Sequence, residues 1–257
     1  MKKIGLVDLK GGFGNQIFQI AFALFLKDYG LNVFIDKRFF KLEHPFPRNL
    51  EIDPKIFGFK EIEFKNNRIF FFLNTFFEEK ESFNLTDFKF LNRFVGYYQD
   101  LKFIDLNKAI ISEKLGIYKN KSRDGLAAIH LRKTDYETIN QLLSDKYYEY
   151  SINSMLEINN DIKFDIYTDS NELIINKNIF KNINNIYYPK KNETAIEVFQ
   201  NLSNYQNYII ANSSFSALAA YLSKYENKTI FYPDPWFRDS IIQLKEIPKS
   251  WNPIKNF

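Results

Sequence analysis

The chain has 257 residues, 45% hydrophobic and 26% charged, enough for one large domain or two smaller α/β domains with buried cores. It has no cysteine and only two histidines, His44 and His130, which excludes disulfides, a thiolate metal site, a cysteine nucleophile and a histidine-rich zinc centre. A net charge of +4 suits an anionic small ligand or an anionic membrane surface and is too small to signal nucleic acid.

In chain order, Lys3 to Leu9 reads as a strand, and Gly11, Gly12 and Gly14 as the turn after it. Asn15 to Tyr29 reads as a helix, apolar nearly all round and therefore buried, stopped by Gly30. Leu31 to Asp36 is the second strand. The first nine residues carry two lysines with no long apolar run behind them, unlike a signal peptide, and the longest apolar run, Ile17 to Leu26, is too short to span a bilayer. A cytoplasmic chain is expected. From Lys37 to about Asn120 the pattern is poor, with Phe39-Phe40, Phe70-Phe71-Phe72 and Phe76-Phe77 set among charges and asparagines, and only short helices and loops are predicted. Gly96-Tyr97-Tyr98-Gln99 leads into a further element. The polar stretch from Lys119 to Gly125 reads as a linker between an N-terminal domain, 1–120, and a C-terminal domain, 121–257.

The second half is regular. Strands are predicted at Leu126–Arg132, Lys163–Thr168, Asn185–Tyr188, Asn207–Ala211 and Lys228–Tyr232. Helices are predicted at Asp145–Leu156 with Ser144 as N-cap, from about Glu172, from the Thr194-x-x-Glu197 capping box to about Tyr205, and at Ser214–Tyr225. Alternating strands and helices give an α/β fold with a parallel, doubly wound sheet, and ligands on such sheets bind at the carboxyl ends of the strands.

Four segments place polar residues at those ends. Gly11-Gly12-Phe13-Gly14-Asn15-Gln16 opens a helix whose free N–H groups suit an anion, although it is neither a Walker A loop nor a full G-x-G-x-x-G. His130-Leu131-Arg132-Lys133-Thr134-Asp135-Tyr136 ends a strand, and Arg132 offers a fork of donors for a diphosphate, a surface ion pair being the plainer reading of an arginine near an aspartate. Tyr167-Thr168-Asp169-Ser170 supplies a carboxylate for a base edge or ribose hydroxyls, or simply a cap for the helix that follows. Asn212-Ser213-Ser214-Phe215-Ser216 gathers hydroxyls and N–H groups at a helix start, where capping alone would need one of them. Together they describe a nucleotide-diphosphate site.

These motifs, in this order, resemble glycosyltransferase family 11, the bacterial α-1,2-fucosyltransferases. The family's Gly-Gly-Leu-Gly-Asn-Gln-Met-Phe-Gln-Tyr-Ala is similar to Gly11 through Ala21, its His-x-Arg-Arg-Gly-Asp-Tyr to His130 through Tyr136, its Phe-Ser-Asp-Asp to Tyr167 through Ser170, and its Asn-Ser-Thr-Phe-Ser-Trp-Trp-Gly-Ala-Tyr-Leu to Asn212 through Leu222. The resemblance implies a GT-B fold, two Rossmann-like domains facing a central cleft, the first on the acceptor side and the second binding the GDP-sugar. It implies transfer of L-fucose from GDP-fucose, with inversion and no metal or other cofactor, onto a glycan hydroxyl, the 2-OH of galactose. Arg132 would hold the β-phosphate, His130 and Asp169 the guanosine, Asn212 and Ser213 to Ser216 (Ser214 included) the diphosphate, and Asn15 would reach the donor from the N-terminal domain. The chain has no Asp-x-Asp, which is consistent with metal independence. Asp135 is the first candidate for the catalytic base, or else orients Arg132 or His130; Asp8 is the second candidate. A basic surface and a lipid-linked acceptor make peripheral contact with the inner membrane an expectation, and no nucleic-acid partner is expected. The alternatives are a transferase using another GDP- or UDP-sugar and a non-catalytic nucleotide- or glycan-binding protein. Departures from the family pattern are Lys133 for Arg, Thr134 for Gly, Ser170 for Asp, and Ala217-Leu218-Ala219 for Trp-Trp-Gly.

Overall fold

A computed structural model of the protein describes residues 2–43, 48–62, 74–77, 87–170, 176, 178–238 and 243–256. His44, the Phe70–Phe72 run and the helix expected from about Glu172 lie outside the described residues. The chain divides into two compact units, Met1–Lys114 and Leu115–Phe257.

The first unit opens as the sequence suggests, with β1 (Ile4–Asp8), α1 (Phe13–Asp28) and β2 (Asn32–Asp36). Helix α1 begins two residues before the expected Asn15, so Gly14 lies within it and Gly12 is its N-cap. Its other end closes as a Schellman motif: Gly30 N–H donates to Lys27 O at 3.0 Å and Leu31 N–H to Leu26 O at 3.1 Å. Gly30 takes φ +97°, the left-handed conformation that a Cβ would strain. The poorly patterned segment then yields β3 (Lys60–Glu61), β4 (Asn74–Phe77) and β5 (Leu91–Val95), followed by α2 (Leu101–Leu106) and α3 (Lys108–Lys114). The five strands lie in the order β3-β2-β1-β5-β4, all parallel. Phe22 of α1 is fully buried, stacked on Tyr98 with centroids 3.8 Å apart and edge-on to Phe94 of β5. Burying such a ring is worth about 1.5–3 kcal/mol, so these aromatics make the core and are not a binding stripe.

The second unit contains β6 (Leu126–Leu131), α4 (Thr134–Thr138), α5 (Asp145–Ile158), β7 (Lys163–Thr168), β8 (Ile183–Tyr187), α6 (Ala195–Leu202), β9 (Asn207–Ile209), α7 (Ser214–Leu222), β10 (Thr229–Asp234) and β11 (Asn252–Lys255). Both predicted caps are present. The Ser144 side chain accepts from Tyr147 N–H, and Thr194 with Glu197 forms the reciprocal capping box. Ile117–Lys119 forms a 3₁₀ turn against α6, and Gln200 Nε2 donates to Leu115 O at 2.7 Å, so the chain joins the second unit before the polar stretch that reads as a linker. All neighbours in the sheet β11-β10-β9-β6-β7-β8 are parallel. Counted from β6, this is the 3-2-1-4-5-6 order of dinucleotide-binding folds, which reverses between the first and fourth strands, here β6 and β9. One face of the sheet is sealed by α5, whose Tyr147, Tyr148, Ile152 and Met155 pack on Ala127, Ile129, Leu131, Phe164 and Ile166. The buried Tyr147 hydroxyl is satisfied by Ile210 O at 2.6 Å. The α/β class and the two Rossmann-like units are as expected. Strand β11, beyond the strand expected to be last, and helix α4 are additions.

Candidate functional site

The reversal of strand order fixes where to look in the second unit: past the carboxyl ends of β6 and β9, where the chain leaves in opposite directions and opens a crevice. His130 is the penultimate residue of β6 and Arg132 follows the strand. Asn212 and Ser213 follow β9, and Ser213 is the N-cap of α7. The ring of His130 lies beside Phe215 in the first turn of α7, centroids 5.9 Å apart, which brings the two strand ends together. Asp169 arrives from the end of β7, next to β6.

Arg132 is held between two carboxylates. Its Nη2 donates to Asp135 Oδ1 at 2.6 Å and its Nη1 lies 2.8 Å from Asp169 Oδ2. The guanidinium carbon sits 5.3 Å from the centre of the Tyr136 ring. Asp169 is tied further by Lys133 N–H at 2.7 Å and by the Thr134 hydroxyl at 2.6 Å. Both of its oxygens are thus engaged by protein donors. Of the two roles open to Asp135, the structure shows the ion pair with Arg132. Helix α4, which carries it, and the turn after it are tied to the edge: Tyr136 OH donates to Asn212 O at 2.9 Å, and Asn212 Nδ2 donates to Gln141 O at 2.9 Å. Arg238 clamps the same turn by donating to Asn140 O and Leu142 O, each at 3.0 Å.

Three buried side-chain atoms at this edge have no hydrogen-bond partner in the protein: His130 Nδ1, Arg132 Nε and Asn212 Oδ1. A fourth, Trp236 Nε1, lies past the end of β10, the strand beside β9. An unpaired buried polar group costs about 1–3 kcal/mol, and several at one sheet edge mark a place where a ligand completes the bonding. His130 is driven down to about 4, first by burial and then by the Arg132 guanidinium, against the pull of Asp169; its imidazole is neutral above that. A neutral imidazole has one donor and one acceptor nitrogen, which suits a base edge or a hydroxyl. Ser213 gives the start of α7 no side-chain cap, and the positive end of the helix dipole lies at this edge. The Ser216 hydroxyl is spent on Ala211 O and Ser213 O, which makes it a backbone brace.

The glycine loop and Asn15 belong to the first unit, at the carboxyl end of β1. Gly11 has φ +77°, and a Cβ there would lie 2.8 Å from Asn15 Nδ2 and 3.0 Å from Tyr97, whereas Gly12 has nothing within 4 Å of its Cβ position. Gly11 is therefore required by the turn, and Gly12 leaves its surroundings open. Asn15 Oδ1 accepts from Gln99 Nε2 at 2.8 Å, so the Gly96–Gln99 segment packs on this loop. Gln16, fully buried, donates to Gly11 O and Asn49 O and accepts from Glu51 and Ile52 N–H: it is a structural strut. Asp8 is paired with Arg93 through two hydrogen bonds, 3.0 and 2.5 Å; burial nevertheless raises its pKa. Sequence reasoning assigned no role to Thr134, Tyr136, Gln141, Trp236 and Arg238. Thr134 and Tyr136 left a signal, the first as a departure from the family motif and the second as its closing residue.

Among the described residues, no three His, Cys, Asp or Glu side chains gather to hold a metal ion, and no helix is long and apolar enough to cross a membrane. Fold and site thus define a Rossmann-type α/β protein with unpartnered buried polar atoms gathered at its switch point.

The chain belongs to glycosyl transferase family 11, whose model matches residues 7–252. Two Rossmann-like units in one chain are the GT-B type of architecture expected for that family. The chain is similar to an alpha-1,2-colitosyltransferase of Escherichia coli, 29% identical over 133 residues, which are 48% of this chain and 46% of that protein. It is also similar to the O-antigen biosynthesis glycosyltransferase WbnK of E. coli, 27% identical over 166 residues, 55% of this chain and 54% of that protein. The chain spans about half the length of the curated relatives it matches. Among solved structures it is similar to the fucosyltransferase NodZ from Bradyrhizobium (14% identity, TM-score 0.46, covering 86% of this chain and 92% of that one). It is similar also to the E. coli heptosyltransferase WaaC with ADP (10% identity, TM-score 0.46, covering 98% and 93%).

Proposed function

We propose that the protein transfers a glycosyl group from a nucleotide sugar to a glycan hydroxyl, with GDP-fucose as donor, the 2-OH of galactose as acceptor, inversion at the anomeric carbon and no metal. The observation that carries this is the set of unpartnered buried atoms on His130, Arg132 and Asn212 at the switch point, beside the uncapped mouth of α7. In the reaction the bond between the anomeric carbon and the diphosphate oxygen breaks, and its electron pair leaves with the nucleoside diphosphate. The acceptor oxygen forms the new bond to that carbon and loses its proton. Arg132 and the N–H groups at Ser214 stabilise the charge that develops on the departing diphosphate, each preorganised donor being worth about 2.7–4 kcal/mol. Inversion requires the acceptor to attack from the side opposite the diphosphate. A carboxylate bonded to Arg132 stands on the leaving-group side, so we assign Asp135 to positioning Arg132 and not to proton removal.

The colitosyltransferase relative supports a second reading, a colitosyl donor in place of the fucosyl one. Incubation with a panel of nucleotide sugars and galactosides, with product linkage read by NMR, separates the readings. GDP-fucose consumption with an α-1,2-linked product is expected, and Arg132→Ala is expected to remove turnover while leaving the circular dichroism unchanged. Near-normal turnover in that variant overturns the assignment. UDP binding without GDP binding replaces the donor, and nucleotide binding without transfer or hydrolysis leaves a binding protein.

A further inference from the structure

Past the ends of β9 and β10, Asn212 and Trp236 leave opposite halves of a hydrogen bond open. Both side chains are almost fully buried, at 1% and 2% exposure, and Asn212 Oδ1 and Trp236 Nε1 have no hydrogen-bond partner in the protein. The open end of the Asn212 carboxamide is fixed by its neighbour. Nδ2 donates to Gln141 O at 2.9 Å, and turning the amide over would set two carbonyl oxygens against each other. Oδ1 therefore offers an acceptor, and Trp236 Nε1 a donor. The two residues share one frame. Gln141, held by Asn212, accepts from Arg238 N–H through its Oε1 at 3.2 Å. The Tyr136 hydroxyl donates to Asn212 O, and the Tyr136 ring lies 6.2 Å from the ring of Phe237, the residue after Trp236. Parallel pairing of β9 with β10 sets the two strand ends side by side.

A diphosphate cannot satisfy this acceptor. Its oxygens carry no proton at neutral pH, so none can donate to Oδ1. A sugar hydroxyl can, and its oxygen can also accept from an indole N–H. The topology says which sugar. Folds of this strand order hold the ribose at the end of the second strand and the diphosphate at the switch point. Here the second strand is β7, with Asp169 just past its end, and the switch point lies between β6 and β9. Strands β9 and β10 lie on the opposite side from β7, where the group carried by the far phosphate must extend. We propose that Asn212 is a specificity-determining residue that accepts a hydrogen bond from a hydroxyl of the transferred sugar, with Trp236 donating to an oxygen of the same sugar. This replaces the diphosphate role that the family resemblance implies for Asn212. It rests on the reading that a nucleotide sugar binds at this edge, and it names the part of the donor these two residues meet.

Calorimetric titration of the full chain tests it, for wild type, Asn212→Ala, Trp236→Phe and Arg132→Ala. The probes are GDP, GDP-fucose and the deoxyfluoro forms of GDP-fucose that each replace one sugar hydroxyl. Asn212→Ala is expected to weaken GDP-fucose about fivefold or more, by leaving a hydroxyl unpaired, and to leave GDP within about twofold. Trp236→Phe, which keeps a ring and loses the N–H, is expected to show the same preference, and carries the test should Asn212→Ala fail to fold. Fluorine cannot donate to Oδ1, so one fluoro form should bind wild type weakly and lose nothing further in Asn212→Ala. A merely structural role would weaken GDP and GDP-fucose alike, and that result overturns the proposal. Unaltered GDP-fucose binding in Asn212→Ala overturns it too, since the open atoms then face water only. So does a full further loss in that variant with every fluoro form. Arg132→Ala is expected to weaken GDP and GDP-fucose together. If it binds both as wild type does, or wild type binds neither, the reading of the site itself falls and takes the proposal with it.

Discussion

Lowering the pH should destabilise the second unit through one side chain. His130 is 6% exposed, and its folded pKa of about 4 lies well below the ordinary 6.5 because burial and then the neighbouring Arg132 disfavour its charged form. In the unfolded chain the imidazole takes its proton near 6.5; in the native protein, near 4. Between those values the unfolded state holds more protons, so the stability contributed by the neutral ring is complete above about pH 6.5 and is lost as the pH falls toward 4. Each pKa unit corresponds to about 1.4 kcal/mol, so two and a half units amount to about 3 kcal/mol, of which about 2 is gone by pH 5. Urea unfolding at pH 7.5 and pH 5.0 measures this. Intrinsic fluorescence is the probe, because both tryptophans, Trp236 and Trp251, lie in the second unit. The control is His130→Gln, which cannot titrate. Wild type should lose about 2 kcal/mol more than the control between the two pH values. Equal losses would falsify the view of His130 as a buried neutral imidazole.

Gly11→Ala should cost about 1–3 kcal/mol, from a left-handed backbone and a Cβ at 2.8 Å from Asn15 Nδ2. Gly12→Ala should cost about 1 kcal/mol or less, as for an N-cap glycine with open surroundings; tyrosine near-ultraviolet dichroism during unfolding would rank the two. Gln16→Ala should cost at least about 2 kcal/mol, since four main-chain groups lose their partner, and a melting temperature within a degree of wild type would contradict that. Transfer activity should be unchanged by EDTA, because Arg132 and the mouth of α7 supply the positive charge the leaving diphosphate needs; a strict requirement for Mg²⁺ or Mn²⁺ would count against the proposed mechanism.

The second unit is legible in the sequence because its signals are local. Ser144, the Thr194–Glu197 box and the apolar runs of β6, β7 and β9 each announce an element within a few residues of themselves. Strands β5 and β11 do not. Leu91-Asn92-Arg93-Phe94-Val95 looks like loop because of its two polar residues. Asn92 is buried and bonded to Ile4 O and Lys89 O, and Arg93 finds its carboxylate on Asp8, 85 residues away. Pro253 argues against a strand at Asn252–Lys255, yet β11 lies at the sheet edge, where a missing N–H is tolerated. Strand β5 was missed because its polar residues find their partners far along the chain, and β11 because the edge of a sheet excuses a proline.

The site shows the same division between local and distant information. Strand ends and a helix start were enough to name His130, Arg132, Asp169 and Asn212 to Ser214 as neighbours, because the doubly wound topology brings those ends together whatever the loops do. What the sequence cannot show is how the charges share one another. In the first unit Arg93 has Asp8 and Arg38 has Asp36, each a bidentate pair with charge balanced. In the second unit one guanidinium serves two carboxylates and still leaves Nε without a partner. Balanced pairs of the first kind fasten a sheet edge and need nothing further. The second arrangement keeps donor capacity in reserve, so in the reading proposed above Nε meets a diphosphate oxygen while Asp135 and Asp169 hold the guanidinium plane. The planar fork of arginine permits both at once, since two of its nitrogens can keep the carboxylates while the third turns to another acceptor; a lysine has no second edge to hold in place.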